Sequence, residues 1–385
     1  MATYRVAPVN MGAANGQTWQ DSMSLPTLMT TITFATNDEI WFLGENNVWG
    51  VGGRYQLNAT FNIPVDELRL YGGFRGTETQ LIQRNALISC NNPAFPDYFV
   101  FPTILVGGLS TANPFPIISC MHNKCVIDGF IIEQGLVPLT SVPGSGGLYV
   151  QNSYEFKMEN VVFLRNEGNA GGGVHFDNVT DSVVKNCIIE NNVGLVNLGG
   201  GVYLRHCKNV DFVNVLFFGN RVQLGTGVGS SAAAYIDFSQ QIRFYNATVA
   251  NNTVPNTAIP NQSIYCNNSD VEIYNSIFYP DTIAANPAST LIIDYCLLNQ
   301  FIPGQNAGGL PFGTNPLFVN PTAAGRNYHL WTSPPFTAQS PCIDWGNNAF
   351  FPSPPPPPPN IATDLEGKPR FMGARIDMGV FEHNT

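Results

Sequence analysis

Charge is scarce in this chain of 385 residues: Asp, Glu, Lys and Arg together make up 11% of it. The balance is acidic, with 27 carboxylate and 17 basic side chains and a formal net charge of −10. An acidic chain with no basic cluster is a poor partner for nucleic acid or an anionic membrane, and neither is expected. No run of 18 apolar residues occurs, so no helix is expected to enter a membrane. The opening residues, MATYRVAPVN, lack the basic-then-apolar order of a secretory leader. A P-loop, a dinucleotide fingerprint, a GxSxG elbow and an HExxH helix are all absent. The eight cysteines show no CxxC spacing, so no metal centre and no cofactor are expected. They do not form a regular disulfide framework either, although a bridge involving Cys90, Cys120 or Cys125 stays open at this level.

What the chain has is a repeat. Gly146–Asn166, Gly171–Asn192 and Gly199–Asn220 superpose, with landmarks recurring at offsets of 26 and then 28 residues. Gly147, Gly173 and Gly201 align, and a further offset of 32 reaches Ala233. Asn160, Asn186, Asn214, Asn246 and Asn275 make a second column; Asn166, Asn192, Asn220 and Asn252 make a third. Each unit holds short segments rich in Val, Ile, Phe and Tyr, punctuated by Gly, Asn and Asp, a strand-and-turn pattern with little room for helix. A period of this size marks a solenoid, whose units bury their apolar faces only by stacking. The expected fold is all-β: a single-stranded right-handed parallel β-helix. Aligned asparagines then lie one above another, and their amides form a structural ladder that satisfies polar groups at the turns.

Three regions are expected within one structural domain. Residues 1–37 form an N-terminal cap, because Trp19, Met23, Leu25, Leu28, Met29 and Ile32 recur at rough helical spacing. Residues 38–300 form the coils. Residues 301–385 form an irregular, proline-rich C-terminal cap that includes Pro354–Pro359.

Alternation after the glycine pair sends Leu148, Val174 and Val202 inward, together with Val150, Phe176, Leu204 and Ile236. Cys187 aligns with Val161 and Val215 and reads as a small core residue. Two columns then point outward: Tyr149, His175, Tyr203, Tyr235, and beside them Gln151, Asp177, Arg205, Asp237. Rings next to carboxylates and amides suit a sugar, since rings pack on its apolar face while the polar groups hold its hydroxyls. Stacked rings and a charge-alternating ladder also stabilise parallel strands without any ligand. As catalytic residues, Asp177, Arg205, Asp237 and His175 are weak candidates. The two aspartates lie two coils apart, roughly 9 to 10 Å, at the upper edge for an inverting glycosidase pair, and the intervening Arg205 favours the ionised form of both. A further outward stripe, Val162, Ile188, Leu216, Thr248 and Ile277, is apolar. It calls for cover by a loop or by a second copy of the chain.

Gly172-Gly173-Val174 followed by Ile189-Glu190-Asn191-Asn192, and Gly200-Gly201-Val202 followed by Phe217-Phe218-Gly219-Asn220, resemble the GGA(I/L/V) and FxxN repeats of bacterial secreted right-handed β-helix, pectin-lyase-like surface proteins, including the polymorphic membrane protein adhesins. Asn15–Trp19, Leu70–Glu78, Asn315–Val319, Ser340–Asp344, Asp364–Arg370 and Ile376–Glu382 resemble the ends of the same proteins. The resemblance implies an extracellular or cell-surface structural or adhesive module, contacting carbohydrate or a cell surface and able to self-associate or join a fibre. Two alternatives stand beside it. One is a polysaccharide lyase or hydrolase of the same fold, although the acidic calcium cluster of pectate lyases and the aspartate trio of polygalacturonases are not visible. The other is a virion fibre or spike, in keeping with the missing leader.

Overall fold

The computed structural model describes residues 1–385 except 90–97, 109–114, 139–143, 197, 225–228, 256–261, 323–326, 333–338, 351–361 and 384–385. Cys90 and the run Pro354–Pro359 fall outside the described residues.

Short β-branched and aromatic segments form parallel strands that wind into a solenoid with three faces. Face A stacks residues 61–63, 118–120, 148–154, 174–180, 202–205, 234–237, 262–266 and 282–285. Face B stacks 3–6, 39–42, 69–71, 126–128, 157–159, 183–185, 208–213, 240–245, 270–274 and 290–294. Face C stacks 54–56, 104–106, 131–133, 162–164, 188–190, 216–218, 248–250, 277–278 and 297–298. The strand Val174–Glu190 runs through all three faces of one coil. It bends where Asn178, Asp181 and Asn186 take φ of 56°, 50° and 51°, the left-handed region that Asn and Asp tolerate better than other side chains.

The inward residues Leu148, Val174, Val202, Val150, Phe176, Leu204, Ile236 and Cys187 lie in one buried cluster along the axis. The glycine column exists because coils approach closely there: a Cβ on Gly147 would sit 2.4 Å from the Gly173 carbonyl oxygen, and one on Gly172 2.5 Å from that of Gly200.

The two asparagine columns serve different purposes. Asn166, Asn192, Asn220 and Asn252, at the corner from face C to face A, are fully buried and form an unbroken ladder. The backbone N–H of Asn166 donates to Asn192 Oδ1 at 3.0 Å, that of Asn192 to Asn220 Oδ1 at 3.0 Å, and that of Asn220 to Asn252 Oδ1 at 3.0 Å. Asp281 receives the last N–H, from Asn252, at 3.0 Å. Asn160, Asn186, Asn214, Asn246 and Asn275, at the corner from B to C, all have φ between 50° and 53°. Their side chains form a ladder only as far as Asn214, which donates to Asn186 at 2.9 Å. Asn214, Asn246 and Asn275 also donate to the backbone oxygens of Thr363, Asp377 and Asn347, so the C-terminal segment takes over the lower half of this column.

That segment also resolves the apolar stripe. Val162, Ile188, Leu216, Thr248 and Ile277 are all buried; Leu365, Met378, Val380 and Phe381 pack in the same cluster as Val162, Ile188, Leu216 and Ile277, and Val380 N–H donates to Thr248 Oγ1 at 3.1 Å. The stripe is covered in cis, which removes it as a surface for self-association. Holding the cover is Arg370, fully buried, whose Nη2 donates to Asn214 Oδ1 at 2.5 Å and whose Nη1 lies 3.5 Å from Glu382.

At the N-terminus the helix is shorter than the spacing from Trp19 to Ile32 implied. It spans Leu25–Thr31, with Ser24 as N-cap and Leu25 and Leu28 buried, because Met23 and Ser24 are drawn into strand pairing with Val6 and Ala7. Thr3–Ala7 itself joins face B, so the ladder begins inside the region expected to be cap. Among the described residues no helix is long and apolar enough to cross a membrane.

Candidate functional site

Register places the predicted outward residues of face A side by side. Tyr149, His175, Tyr203 and Tyr235 pair in sequence, and Tyr265 extends the column. Ring centroids are 5.0, 4.8, 5.7 and 5.5 Å apart. The middle of the column is not a free surface, however. His175 is 0% and Tyr203 5% exposed. The turns that enter face A run close to this column: a Cβ on Gly171 would lie 2.7 Å from the Tyr203 backbone nitrogen, and one on Gly229 3.1 Å from the Tyr265 ring. Strand alternation gives a side chain's direction, not what later folds across it. Neither ring nitrogen of His175 has a hydrogen-bond partner, and burial pushes its pKa down to about 4. It is a neutral ring in a stack and is not placed to act as a base.

The neighbouring column is more open. Gln151 Nε2 donates to Asp177 Oδ2 at 3.1 Å, and His206 Nδ1 lies 3.8 Å from Asp177 Oδ1. Tyr203 Oη donates to Asp237 Oδ2 at 3.1 Å and Asn267 Nδ2 to Asp237 Oδ1 at 2.7 Å. Arg205 lies between the aspartates in register, yet both carboxylates take their hydrogen bonds from neutral groups instead. Among the described residues the Arg205 guanidinium makes no hydrogen bond or ion pair with either aspartate.

Repeat alignment extends this surface by one column that sequence reasoning did not use. Asn152, Asn178, His206, Phe238 and Asn268 occupy the corner from A to B, all with φ between 45° and 56°. Asn178 Nδ2 donates to Asn152 Oδ1 at 2.8 Å, and the His206 and Phe238 rings lie 5.9 Å apart. Phe238 is 53% exposed. It is more exposed than any ring of the neighbouring column, and its place directly after Asp237 in the aligned repeat was the available signal.

A second concavity lies on face B, a groove of about 490 Å³. Its floor carries Arg69 and Tyr71, Val126 and Asp128, and Lys157 and Glu159 from three successive coils. Asp128 is ion-paired with Arg84 and accepts from Asn160 Nδ2 at 2.9 Å. Glu159, its neighbour in register, is pushed up in pKa by burial, and the Asp128 charge adds to this against the opposing pull of Lys185. Sequence reasoning missed this groove because a long insertion separates Tyr71 from Asp128 and hides their register. Among the described residues no cluster of His, Cys, Asp and Glu is arranged to hold a metal ion.

Residues 110–254 match the family model described as a right handed beta helix region. The fold is a right-handed parallel β-helix. Among solved structures the chain is similar to pectate lyase Pel9A, at 12% identity and a TM-score of 0.48, over 100% of this chain and 97% of that one. It is similar to an alginate lyase from Paenibacillus sp. str. FPU-7, at 11% and 0.40, over 79% and 97%. A third likeness is to the GH136 lacto-N-biosidase from Eubacterium ramulus, at 10% and 0.43, over 77% and 58%. No curated protein is a significant match.

Proposed function

We propose that this β-helix is an extracellular or cell-surface structural and adhesive module that contacts carbohydrate through the outward surface of face A. The observation that supports this reading best is Arg205, without an ion-pair partner among the described residues, between two carboxylates that neighbouring side chains already orient, beside the exposed ring of Phe238. A sugar stacks its apolar face on the ring while Arg205 donates to, and Asp177 and Asp237 accept from, its hydroxyls. Tyr203 and His175 support the surface from beneath. The test is a glycan array comparing the parent protein with Arg205→Ala, Phe238→Ala and Asp177→Asn. At least one glycan should be retained by the parent and lost, about tenfold or more, by each variant. Retention of no glycan, or equal retention by the variants, sinks the reading.

One observation favours a second reading, glycoside hydrolysis in the face B groove. Two carboxyl groups one coil apart, about 4.8 Å, differ in surroundings: Asp128 is ion-paired with Arg84 and accepts from Asn160 Nδ2, while burial pushes Glu159 toward its acid form. That is the division of roles between nucleophile and acid in a retaining glycosidase. Release of reducing sugar from a panel of polysaccharides, abolished by Glu159→Gln and Asp128→Asn, would establish it; no release rejects it.

A further inference from the structure

Face A is bare at both ends of the solenoid. Among the described residues its first strand, Phe61–Ile63, pairs only with Ile118–Cys120, and its last strand, Thr282–Ala285, pairs only with Gln262–Asn267. The terminal segments close other parts of the stack. Met23 and Ser24 pair with Val6 and Ala7 at the start of face B. At the far end residues 306–313 run across faces B and C, where the N–H groups of Asn306, Leu310 and Gly313 donate to the carbonyls of Ile293, Cys296 and Leu298 at 2.6, 3.1 and 2.9 Å. Beside Thr282–Ala285 lies a side chain instead of a strand, with Gln300 Nε2 donating to the Ile283 carbonyl.

The two bare edges lack the usual guards. An exposed strand edge is commonly protected by charge or proline, and neither Phe61–Ile63 nor Thr282–Ala285 contains either. The segments around them are uncharged too: Ser22–Asn37 and Tyr55–Val65 at one end, Tyr295–Phe318 at the other. In a chain with a net charge of −10, this removes local like-charge repulsion between two such ends. The N-terminal edge borders a groove of about 790 Å³ walled by Pro8, Val9, Leu25, Met29, Leu57 and Phe61. The C-terminal end carries Phe301 and Phe312, 67% and 63% exposed, with ring centroids 5.8 Å apart. An apolar groove at one end thus answers an exposed ring pair at the other.

We propose that copies of this chain stack end to end, Thr282–Ala285 of one copy adding as a parallel strand to Phe61–Ile63 of the next while Phe301 and Phe312 enter its groove. The joint continues the coil-to-coil interface that already builds face A, at the same spacing of about 4.8 Å, and uses the backbone groups of both edges as strand addition does. Phe61, Ile63 and Ile283 all belong to the axial core, so the core continues across the joint as well. A buried aromatic ring removes about 150–250 Å² from water, so the pair supplies about 300–500 Å² of the roughly 800 Å² per partner in a specific interface of standard size. The groove walls and strand edges supply the remainder. Because the joint brings different surfaces together along one axis, it does not close on itself and builds a filament.

The test is sedimentation velocity over a range of protein concentrations. The parent should form a series of species that lengthens with concentration. The double variant Phe301→Glu with Phe312→Glu removes the ring pair, and Val9→Glu with Ala59→Glu places charge in the groove at two exposed positions; each should sediment as a monomer. An equimolar mixture of the two should give a dimer and nothing larger, because the first keeps the groove and the second keeps the rings, and that dimer also shows that both variants are folded. A parent that stays monomeric up to its solubility limit overturns the proposal, as do variants that assemble like the parent or a mixture that stays monomeric.

Discussion

Removing one amide from the buried ladder should cost more than any single exposed contact in the molecule. In Asn192→Ala, the Asn166 N–H loses its acceptor at 3.0 Å and the Phe163 carbonyl loses a donor at 3.0 Å. Both are enclosed, since Asn166, Asn192 and Phe163 are 0% exposed. The Asn166 side chain keeps its bond to the Ile132 carbonyl at 2.9 Å, and Asn220 Oδ1 keeps the Asn192 N–H at 3.0 Å, so two groups are orphaned. Each unsatisfied buried group costs about 1–3 kcal/mol, which puts the loss at about 2–6 kcal/mol. Asn178→Ala is the control: it removes the exposed bond to Asn152 and puts alanine at φ 56°, costing about 1 kcal/mol. The assay is urea unfolding followed by far-ultraviolet circular dichroism, with the midpoint as readout at unchanged slope. A loss below about 0.5 kcal/mol, or no greater than in Asn178→Ala, would refute the claim that the ladder carries the fold.

His175→Phe should raise stability by about 1–2 kcal/mol at neutral pH, because it removes two unpartnered buried nitrogens from the ring stack. The histidine's folded pKa is depressed to about 4, so its burial adds no pH-dependent cost above about pH 6.5 and stability is lost as pH falls from there toward 4; melting curves across that window should show the variant losing less than the parent. Asp281 shows the opposite sign. Burial raises its pKa to about 7, so its contribution is intact below about pH 4 and is lost as pH rises toward 7. Asp281→Asn should therefore raise the melting temperature at pH 8 and change it little at pH 4; equal effects at both would contradict the assignment. Arg370→Ala leaves Glu382 without its cation in a site where both side chains are at most 1% exposed, at a cost of about 3–5 kcal/mol. Limited trypsin digestion should then cut at Arg375 well before the coils are degraded.

The repeat made the coil legible. The period, the inward columns and the Asn166-to-Asn252 ladder all follow from residues that recur because every coil meets the same neighbours above and below. What stayed hidden depends on contacts the repeat does not encode. The turns beside Tyr203 and Tyr265 are local excursions outside the strand pattern. The cover over Val162 and Leu216 comes from segments far along the chain, as in the bond from Asn214 to Thr363, 149 residues away. The face B groove draws on coils whose spacing is irregular, so Tyr71, Asp128 and Glu159 share no visible period. Phe238 was within reach, since it aligns with Asn152, Asn178 and His206, but an aromatic residue at an asparagine position reads as an exception until its exposure is seen.

The most direct test of the carbohydrate-contacting surface is a crystal structure of the protein with a glycan retained on the array. The account predicts density for the sugar on face A, with a ring over Phe238 and hydroxyls within 3.2 Å of Arg205 and of Asp177 or Asp237. Density confined to the face B groove or to a terminal cap, with face A bare, would contradict it.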